Sequence, residues 1–350
     1  MASGLESRVT LGIIASVAVA IAAHQAASVF APLALAIFVI AIVWPLQSRL
    51  QLHMPKLVAL AITLSLTIAV CIAFASMAVW AFGRVGQSLI ADSGRYQALY
   101  NSVVAWLDGH GVSVAGLWAQ HFNVGWLLRA AQRLTDRINT TLTFWLIALT
   151  YLILGLLEVD DIRRKVQALD NREAARVLLD GSTATAIKFR KYMLVRTQMS
   201  AVTGLLVAAF AWITGLPFAG EWGVIAFVLN YIPYIGPFIA TLFPTLLAMT
   251  QFENWQAVLG MFVGLNIIQF AVGSYVEPRA AGSSLSVSPM VVLFAIFFWT
   301  FLWGLFGTFI GVPIALAILS FCDQRPSTRW VADLLGGPRR GETGRIKSRS

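Results

Sequence analysis

Apolar residues occur in long runs along almost the whole chain, and polar residues are concentrated between the runs. A helix needs about 20 mostly apolar residues to cross roughly 30 Å of hydrocarbon, and these runs reach or approach that length. The pattern predicts an all-α, polytopic membrane protein with about eight transmembrane helices. The predicted spans are Val9–Ala23, Val29–Leu46, Leu57–Phe82, Leu142–Leu157, Met199–Leu216, Trp222–Met249, Trp255–Val276 and Pro289–Phe321.

The first run has a second interpretation as a secretory signal peptide. Arg8, a short apolar stretch and small residues before Ser28 are typical of such a peptide. The second apolar run follows almost at once, so a helical hairpin that turns near His24 and Gln25 explains the pair better. We therefore expect the first run to be a membrane span.

The composition excludes an ordinary soluble domain. Hydrophobic residues make up 58% of the chain and charged residues only 12%, and the mean hydropathy is +0.77. The net charge of +9 comes from basic residues that flank the spans, without a nucleic-acid recognition motif. We expect contact with anionic lipid headgroups and no nucleic-acid partner.

The basic residues also predict the orientation, because short loops rich in Lys and Arg stay in the cytoplasm. Eight spans with a cytoplasmic N-terminus put 19 of the 25 Lys and Arg residues inside. This bias predicts that both termini are cytoplasmic. The six basic residues left outside are Arg84, Arg95, Arg129, Arg133, Arg137 and Arg279.

Two segments between spans are long enough to form structure outside the bilayer. After Asp92, the spacing of Tyr96, Leu99, Val103 and Trp106 predicts a helix, and Leu127, Leu128, Ala131 and Leu134 predict a second one. This pair is either a hairpin that packs on itself or a partner-binding domain. The predicted organisation is residues 1–82 for spans one to three, 83–139 for an extracytoplasmic helical loop, 140–157 for span four, 158–196 for a cytoplasmic amphipathic arm, 197–322 for spans five to eight, and 323–350 for a basic, disordered cytoplasmic tail.

Residues suited to catalysis are scarce. The chain has four histidines without ligand spacing and two cysteines, Cys71 and Cys322, which suggest neither a disulfide framework nor a metal site. It carries no phosphate-binding loop, nucleophile elbow or paired catalytic carboxylates. We therefore predict neither an enzyme nor a protein with a cofactor or a metal.

The sixth run contains the pattern that points most directly to a function. Two prolines around a glycine remove backbone donors, so they are expected to break the sixth helix near mid-membrane and free several carbonyls. Such a break is either a kink against neighbouring helices or, as in many transporters, a binding site. The candidate pathway residues of this segment are Asn230, Tyr231, Pro233, Tyr234, Gly236 and Pro237.

The last two spans supply the remaining candidates. Asn266 and Gln269 lie three residues apart on one helix, where their amides can bind a solute or join helices. Glu277 follows at the end of that span. In the last span Gly304, Gly307 and Gly311 form a ridge of small residues, which favours close helix packing within a protomer or between protomers.

Several of these segments also resemble one known family. The residues 232–237, then Val276-Glu277-Pro278-Arg279, Gly282, Leu285 and Ser288-Pro289, and finally residues 303–307 leading to Val312-Pro313, are similar in order and spacing to the autoinducer-2 exporter family. The resemblance implies a bacterial inner-membrane permease that assembles as an oligomer. Family members are associated with export of autoinducer-2 or with sodium/proton antiport.

Two classes of function follow from the sequence. One is a secondary transporter of a small molecule or ion whose pathway passes residues 233–237, with Glu277 as the titratable group of an antiporter. The other is a non-transporting membrane scaffold that binds partners through the cytoplasmic arm. The scarcity of charge within the spans favours neutral or weakly polar solutes over ions.

Overall fold

The computed structural model describes residues 12, 14, 15, 18–91, 93–110, 138–252, 254–282 and 287–336, and these residues are almost entirely helical. The all-α prediction is confirmed for this part of the chain. Residues 18–25 are helical up to a turn at Ala26. The helices that follow are α1 (Ala27–Leu50), α2 (Lys56–Ala91), α3 (Ser93–Gly109), α4 (Ile138–Gln167), α5 (Arg172–Ile213), α6 (Ala219–Leu229), α7 (Ile235–Gln251), α8 (Trp255–Phe270), α9 (Pro289–Asp323) and α10 (Arg329–Leu335).

Within the described residues, six helices are long and apolar enough to cross a membrane. They coincide with the second to fifth, seventh and eighth predicted spans. The first predicted span lies partly outside the described residues, and the sixth consists of two shorter helices, α6 and α7. The six are Ala27–Leu50, Lys56–Ala91, Leu142–Gln167, Arg172–Ile213, Trp255–Ala281 and Pro289–Asp323.

The segments between spans differ from the prediction in two places. The predicted cytoplasmic arm, residues 158–196, is the end of α4 and the start of α5, which runs on into the fifth span without a break. In the tail, predicted to be disordered, Arg329–Leu335 form a helix held by a hydrogen bond from Ser288 N to Leu335 O. Asp92, the second loop helix, Glu253 and residues 337–350 lie outside the described residues.

The contacts divide the chain into two compact units. The first contains Met1–Thr67, Thr143–Leu194 and Ala281–Ser350, and the second contains Ile68–Leu142 and Val195–Ala280. In the first unit, α1, α2 and α4 share a core in which Ala36, Leu60, Leu152 and Leu156 are buried.

The last long helix of the first unit, α9, is folded back on itself. Gly304 has φ 62° and ψ −140°, which only glycine adopts readily. A Cβ on Gly307 would lie 1.7 Å from Trp299 O, and one on Gly311 would lie 2.9 Å from Ala295 O. The two arms therefore run antiparallel in direct backbone contact, so the glycines serve a contact within α9 itself.

The tip of the α9 hairpin is held by residues from two other helical segments of the same unit. His24 Nδ1 lies 3.1 Å from Leu302 O, and Trp303 Nε1 donates to Ala23 O at 3.1 Å. Phe306 stacks on Phe144 of α4 with ring centroids 3.7 Å apart. The tip is a packed structure with a fixed position in this unit.

In the second unit, α7 packs against both α6 and α8. Their shared core also receives α5 and the end of α2, which position the segment between α6 and α7. The buried members of this core are Ala81, Val85, Val207, Ala211, Leu216, Trp222, Ile225, Ala226, Ala240, Leu247, Ala248, Met261 and Leu265.

Candidate functional site

The chain reverses direction between α6 and α7, in a segment we call the α6–α7 tip, residues 230–237. Helical structure ends at Leu229 and resumes at Ile235, and Tyr234 has a positive φ of 63°. A Cβ on Gly236 would lie 1.9 Å from Leu229 O. Glycine is therefore required here, because the start of α7 crosses the end of α6 in backbone contact.

The backbone of the tip is hydrogen-bonded more completely than the sequence suggests. Ile232 N donates to Leu229 O at 2.8 Å, Gly236 N donates to Ile232 O at 3.0 Å, and Ile235 N donates to Pro233 O at 2.7 Å. Many of the carbonyls that the two prolines were expected to free are thus used within the turn. The groups that the tip presents to its neighbours are side chains.

Two polar side chains of the tip are buried against α5. Asn230 is 6% exposed, and its Nδ2 donates to Ser200 Oγ at 3.3 Å. Tyr231 is 8% exposed, and its hydroxyl donates to Thr197 Oγ1 at 2.9 Å. The Tyr231 ring also meets Phe74 edge to face, with centroids 5.4 Å apart. An apolar bundle thus encloses a small hydrogen-bonded polar cluster.

The face of α5 that meets the tip carries a row of polar residues. Arg196, Ser200 and Thr203 are four and three residues apart, the spacing that brings side chains to one face of a helix. Each is buried, and neither Arg196 Nε nor Thr203 Oγ1 has a hydrogen-bond partner among the described residues. The sequence contained this signal, a polar stripe at the start of the fifth predicted span, but the prediction did not use it.

Arg196 forms an ion pair with Glu277, which begins the short helix Glu277–Ala281 beyond α8. Arg196 Nη1 lies 2.6 Å from Glu277 Oε1. Between Phe270 and Glu277 the helix widens into a π-helical turn, Ala271–Val276, in which Glu277 N donates to Val272 O. The extra residue in this turn shifts the helical register and brings Glu277 to the side of α8 that faces α5.

A second ion pair lies at the start of α6. Arg84 Nη1, near the end of α2, is 2.7 Å from Glu221 Oε1. Glu221 is buried, whereas the Arg84 side chain is largely exposed. Glu221 and Glu277 are therefore both bound to arginines.

The structure brings only some of the predicted pathway residues together. Asn230, Tyr231 and Glu277 gather around the polar face of α5. Asn266 is exposed, and its Nδ2 donates to Phe262 O of its own helix. Gln269 is half-buried, with Nε2 buried and without a partner among the described residues. Pro233 and Pro237 are half-buried in the turn, Tyr234 is exposed, and Gly304, Gly307 and Gly311 belong to α9 in the first unit.

A multi-pass apolar helical bundle that encloses polar side chains and a buried ion pair is typical of membrane transporters. Transporters are the class that this fold and site define. The chain belongs to the AI-2E transporter family, because the model of "AI-2E family transporter" matches residues 13–326. It is accordingly a multi-pass bacterial membrane protein, and the family resemblance seen in the sequence is confirmed.

The proteins that are similar in sequence to this chain are named as transport proteins. The chain is 26% identical to the AI-2 transport protein TqsA of Escherichia coli (strain K12) over 337 residues, which are 95% of this chain and 96% of TqsA. Two further similar proteins are each named "Putative transport protein": YhhT of the same strain and YrrI of Bacillus subtilis (strain 168). Both matches cover less than half of either chain. YhhT is 30% identical over 158 residues, 45% of this chain and 43% of YhhT. YrrI is 36% identical over 118 residues, 34% of this chain and 33% of YrrI.

Proposed function

We propose that this protein is a secondary transporter or permease that exports a small solute across the bacterial inner membrane, with the α6–α7 tip as part of its pathway. The observation that supports this site is the burial of Asn230 and Tyr231 against Ser200 and Thr197 inside an apolar bundle. TqsA is named an AI-2 transport protein, so autoinducer-2 is the first solute to test. Family membership favours transport over the non-transporting scaffold.

The proposed pathway requires that the α6–α7 pair enter the membrane and return to the same side. α6 has 11 residues, a rise of about 16 Å, so it covers about half of a 30 Å hydrocarbon layer. The Arg196–Glu277 ion pair supports the same conclusion. The pair joins the chain just beyond α8 to a residue near the cytoplasmic end of the fifth apolar run, so α8 would start on the side where α6 starts.

This arrangement changes the predicted topology of the sixth run but leaves both termini in the cytoplasm. The sixth run becomes a re-entrant hairpin, so Arg279 moves from the outside to the cytoplasmic side. Five of the 25 basic residues then remain outside instead of six. The α9 hairpin likewise enters and returns on the cytoplasmic side, so both termini stay cytoplasmic. Counted with the first predicted span, the protein crosses the membrane six times.

Flux into inverted membrane vesicles tests the proposed site with a matched pair of amide substitutions. Asn230→Ala removes the buried hydrogen bond to Ser200, and we expect several-fold slower autoinducer-2 uptake, since such a bond contributes about 1 kcal/mol. Asn266→Ala removes an exposed amide that bonds only its own helix, and we expect wild-type uptake. Equal rates for both variants would remove the tip from the pathway.

Sodium/proton antiport is the second candidate, and it rests on Glu277. This carboxylate is partly buried beside the polar face of α5, where a proton or sodium ion could compete with Arg196. In vesicles loaded with a pH-sensitive dye, Glu277→Gln should abolish the pH dependence of sodium-driven proton flux. The candidate fails if that dependence survives the substitution.

A further inference from the structure

We infer that Arg196 binds an anionic group of the transported solute, a carboxylate or a phosphate, and that Glu277 occupies this position when the solute is absent. The inference deepens the proposed function and rests on it. It names a solute class different from the neutral or weakly polar solutes that the sequence favours. Three features of the Arg196 environment support it.

The first feature is the burial of the arginine. Arg196 is 5% exposed and lies on a membrane helix. A guanidinium that is removed from water costs several kcal/mol unless a counter-charge and hydrogen bonds compensate for it. Charges held inside membrane bundles are therefore generally kept for a function, and a cation in this position attracts anions.

The second feature is the unused hydrogen-bonding capacity of Arg196. Its Nη1 donates to Glu277 Oε1 at 2.6 Å, but the buried Nε has no partner among the described residues. A planar guanidinium can donate through Nε and a terminal nitrogen together to two oxygens of one carboxylate or phosphate. The contact with Glu277 leaves that second donor available for a solute.

The third feature is that the Glu277 side chain can move away from Arg196. Its side chain is 27% exposed, so it reaches solvent more readily than the arginine does. It also follows the π-helical turn Ala271–Val276, and a π-helical turn can revert to an α-helical one and rotate the residues beyond it. A solute anion that displaces Glu277 would lie beside Thr197, Ser200 and Asn230, whose neutral polar groups suit an oxygen-rich solute.

Thermal unfolding of the full-length protein in detergent tests the inference. The probes are sodium phosphate, sodium acetate and sodium succinate, compared with sodium chloride at equal ionic strength and with neutral acetamide. Arg196→Gln/Glu277→Gln removes the pair without leaving an unpaired charge. Arg84→Gln/Glu221→Gln removes another ion pair of the same unit and is the matched control.

For the wild type and the control, we expect a melting temperature that rises with the logarithm of phosphate or carboxylate concentration. The double variant at Arg196 and Glu277 should lose this rise. Glu277→Gln should lower the half-saturating anion concentration by about tenfold or more, because it removes the competing carboxylate. A response to phosphate alone or to carboxylates alone would identify the anionic group.

The inference is overturned if the double variant at Arg196 and Glu277 responds to anions as the wild type does. It is also overturned if none of the three anions stabilises the wild type, or if Glu277→Gln leaves the half-saturating concentration unchanged. Failure of the proposed function would give a different result. The melting temperature would still respond to anions through Arg196, but the vesicles would take up no solute. Uptake of solute by the vesicles, without any response of the melting temperature to anions, would contradict only the inference about Arg196.

Discussion

The Tyr231 hydroxyl donates a hydrogen bond of 2.9 Å to Thr197 Oγ1, and this bond joins the α6–α7 tip to α5. Thr197 follows Arg196 in α5, and Ser200, which binds Asn230 of the tip, lies one helical turn beyond Arg196, so the tip, the arginine and Glu277 together form one polar cluster along this stretch of α5. If the tip moves, either this hydrogen bond breaks or α5 moves together with the tip. The cluster is therefore the part of the second unit in which stability and transport are expected to change together.

Removal of either partner of this bond should destabilise the protein modestly. We expect Tyr231→Phe and Thr197→Val each to lower the free energy of unfolding by about 1 kcal/mol, and the double variant to lose less than the sum, because both remove the same bond. Thermal unfolding in detergent measures all three. Thr150→Val is the control, since the Thr150 hydroxyl bonds Leu146 O of its own helix. Fully additive effects would contradict a direct interaction.

Gly236→Ala should disrupt the tip. Its Cβ would lie 1.9 Å from Leu229 O, a backbone atom that cannot move without a shift of α6. We expect a loss of about 1–3 kcal/mol or more, the usual range for overpacking. Gly260→Ala in α8 is the matched control, because no atom lies within 4 Å of its Cβ. That substitution should leave stability unchanged or raise it, since alanine favours a helix by about 1 kcal/mol.

Cysteine labelling should separate the two possible topologies of the sixth run. In a variant with Cys71 and Cys322 replaced by serine, we expect Asn254→Cys to react from the same side as Arg84→Cys. Arg279→Cys should react from the side of Leu169→Cys, which lies between α4 and α5. A sixth run that crosses once would exchange the sides of Asn254 and Arg279, so a membrane-impermeant maleimide on intact cells and inverted vesicles decides between them.

The Arg196–Glu277 pair should show strong coupling in stability. Removal of one partner of a buried ion pair costs about 3–5 kcal/mol, because it leaves the other charge uncompensated. We expect Glu277→Gln to approach this loss at low anion concentration and Arg196→Gln to lose less, since Glu277 can reach solvent. The double variant Arg196→Gln/Glu277→Gln should regain much of the stability that Glu277→Gln alone loses. Equal destabilisation by Glu277→Gln and the double variant, measured by thermal unfolding, would argue against the pair.

The sequence indicated segments of the candidate site but not its side-chain contacts. The prolines and glycine between residues 233 and 237 predicted a break in the sixth helix, whereas in the structure α6 ends at Leu229 and α7 begins at Ile235, so Gly236 and Pro237 lie in the first turn of α7. Asn230 and Asn266 are both candidate pathway residues in the sequence. Only the direction of each helix distinguishes them, since Asn230 faces α5 and Asn266 faces away from the core.

Arg196 shows why a linear pattern was not sufficient. In the sequence it closes a charged stretch that includes Lys188, Arg190 and Lys191, which favours the cytoplasmic arm, whereas α5 continues through it into the apolar bundle. Its partner Glu277 is 81 residues away. No local period connects two such residues, and the π-helical turn that aligns them is not visible in hydropathy.

By itself, the sequence determined that this protein is a helical bundle built for lipid, because runs of about 20 apolar residues have no other stable environment. It also indicated a break in the sixth run, since proline and glycine limit the backbone locally. The tertiary structure alone decided that the sixth run folds back, that α9 closes on itself at Gly304, and that Arg196 meets Glu277. Hydropathy measures how apolar a segment is, whereas direction and partners depend on packing between segments far apart in the chain.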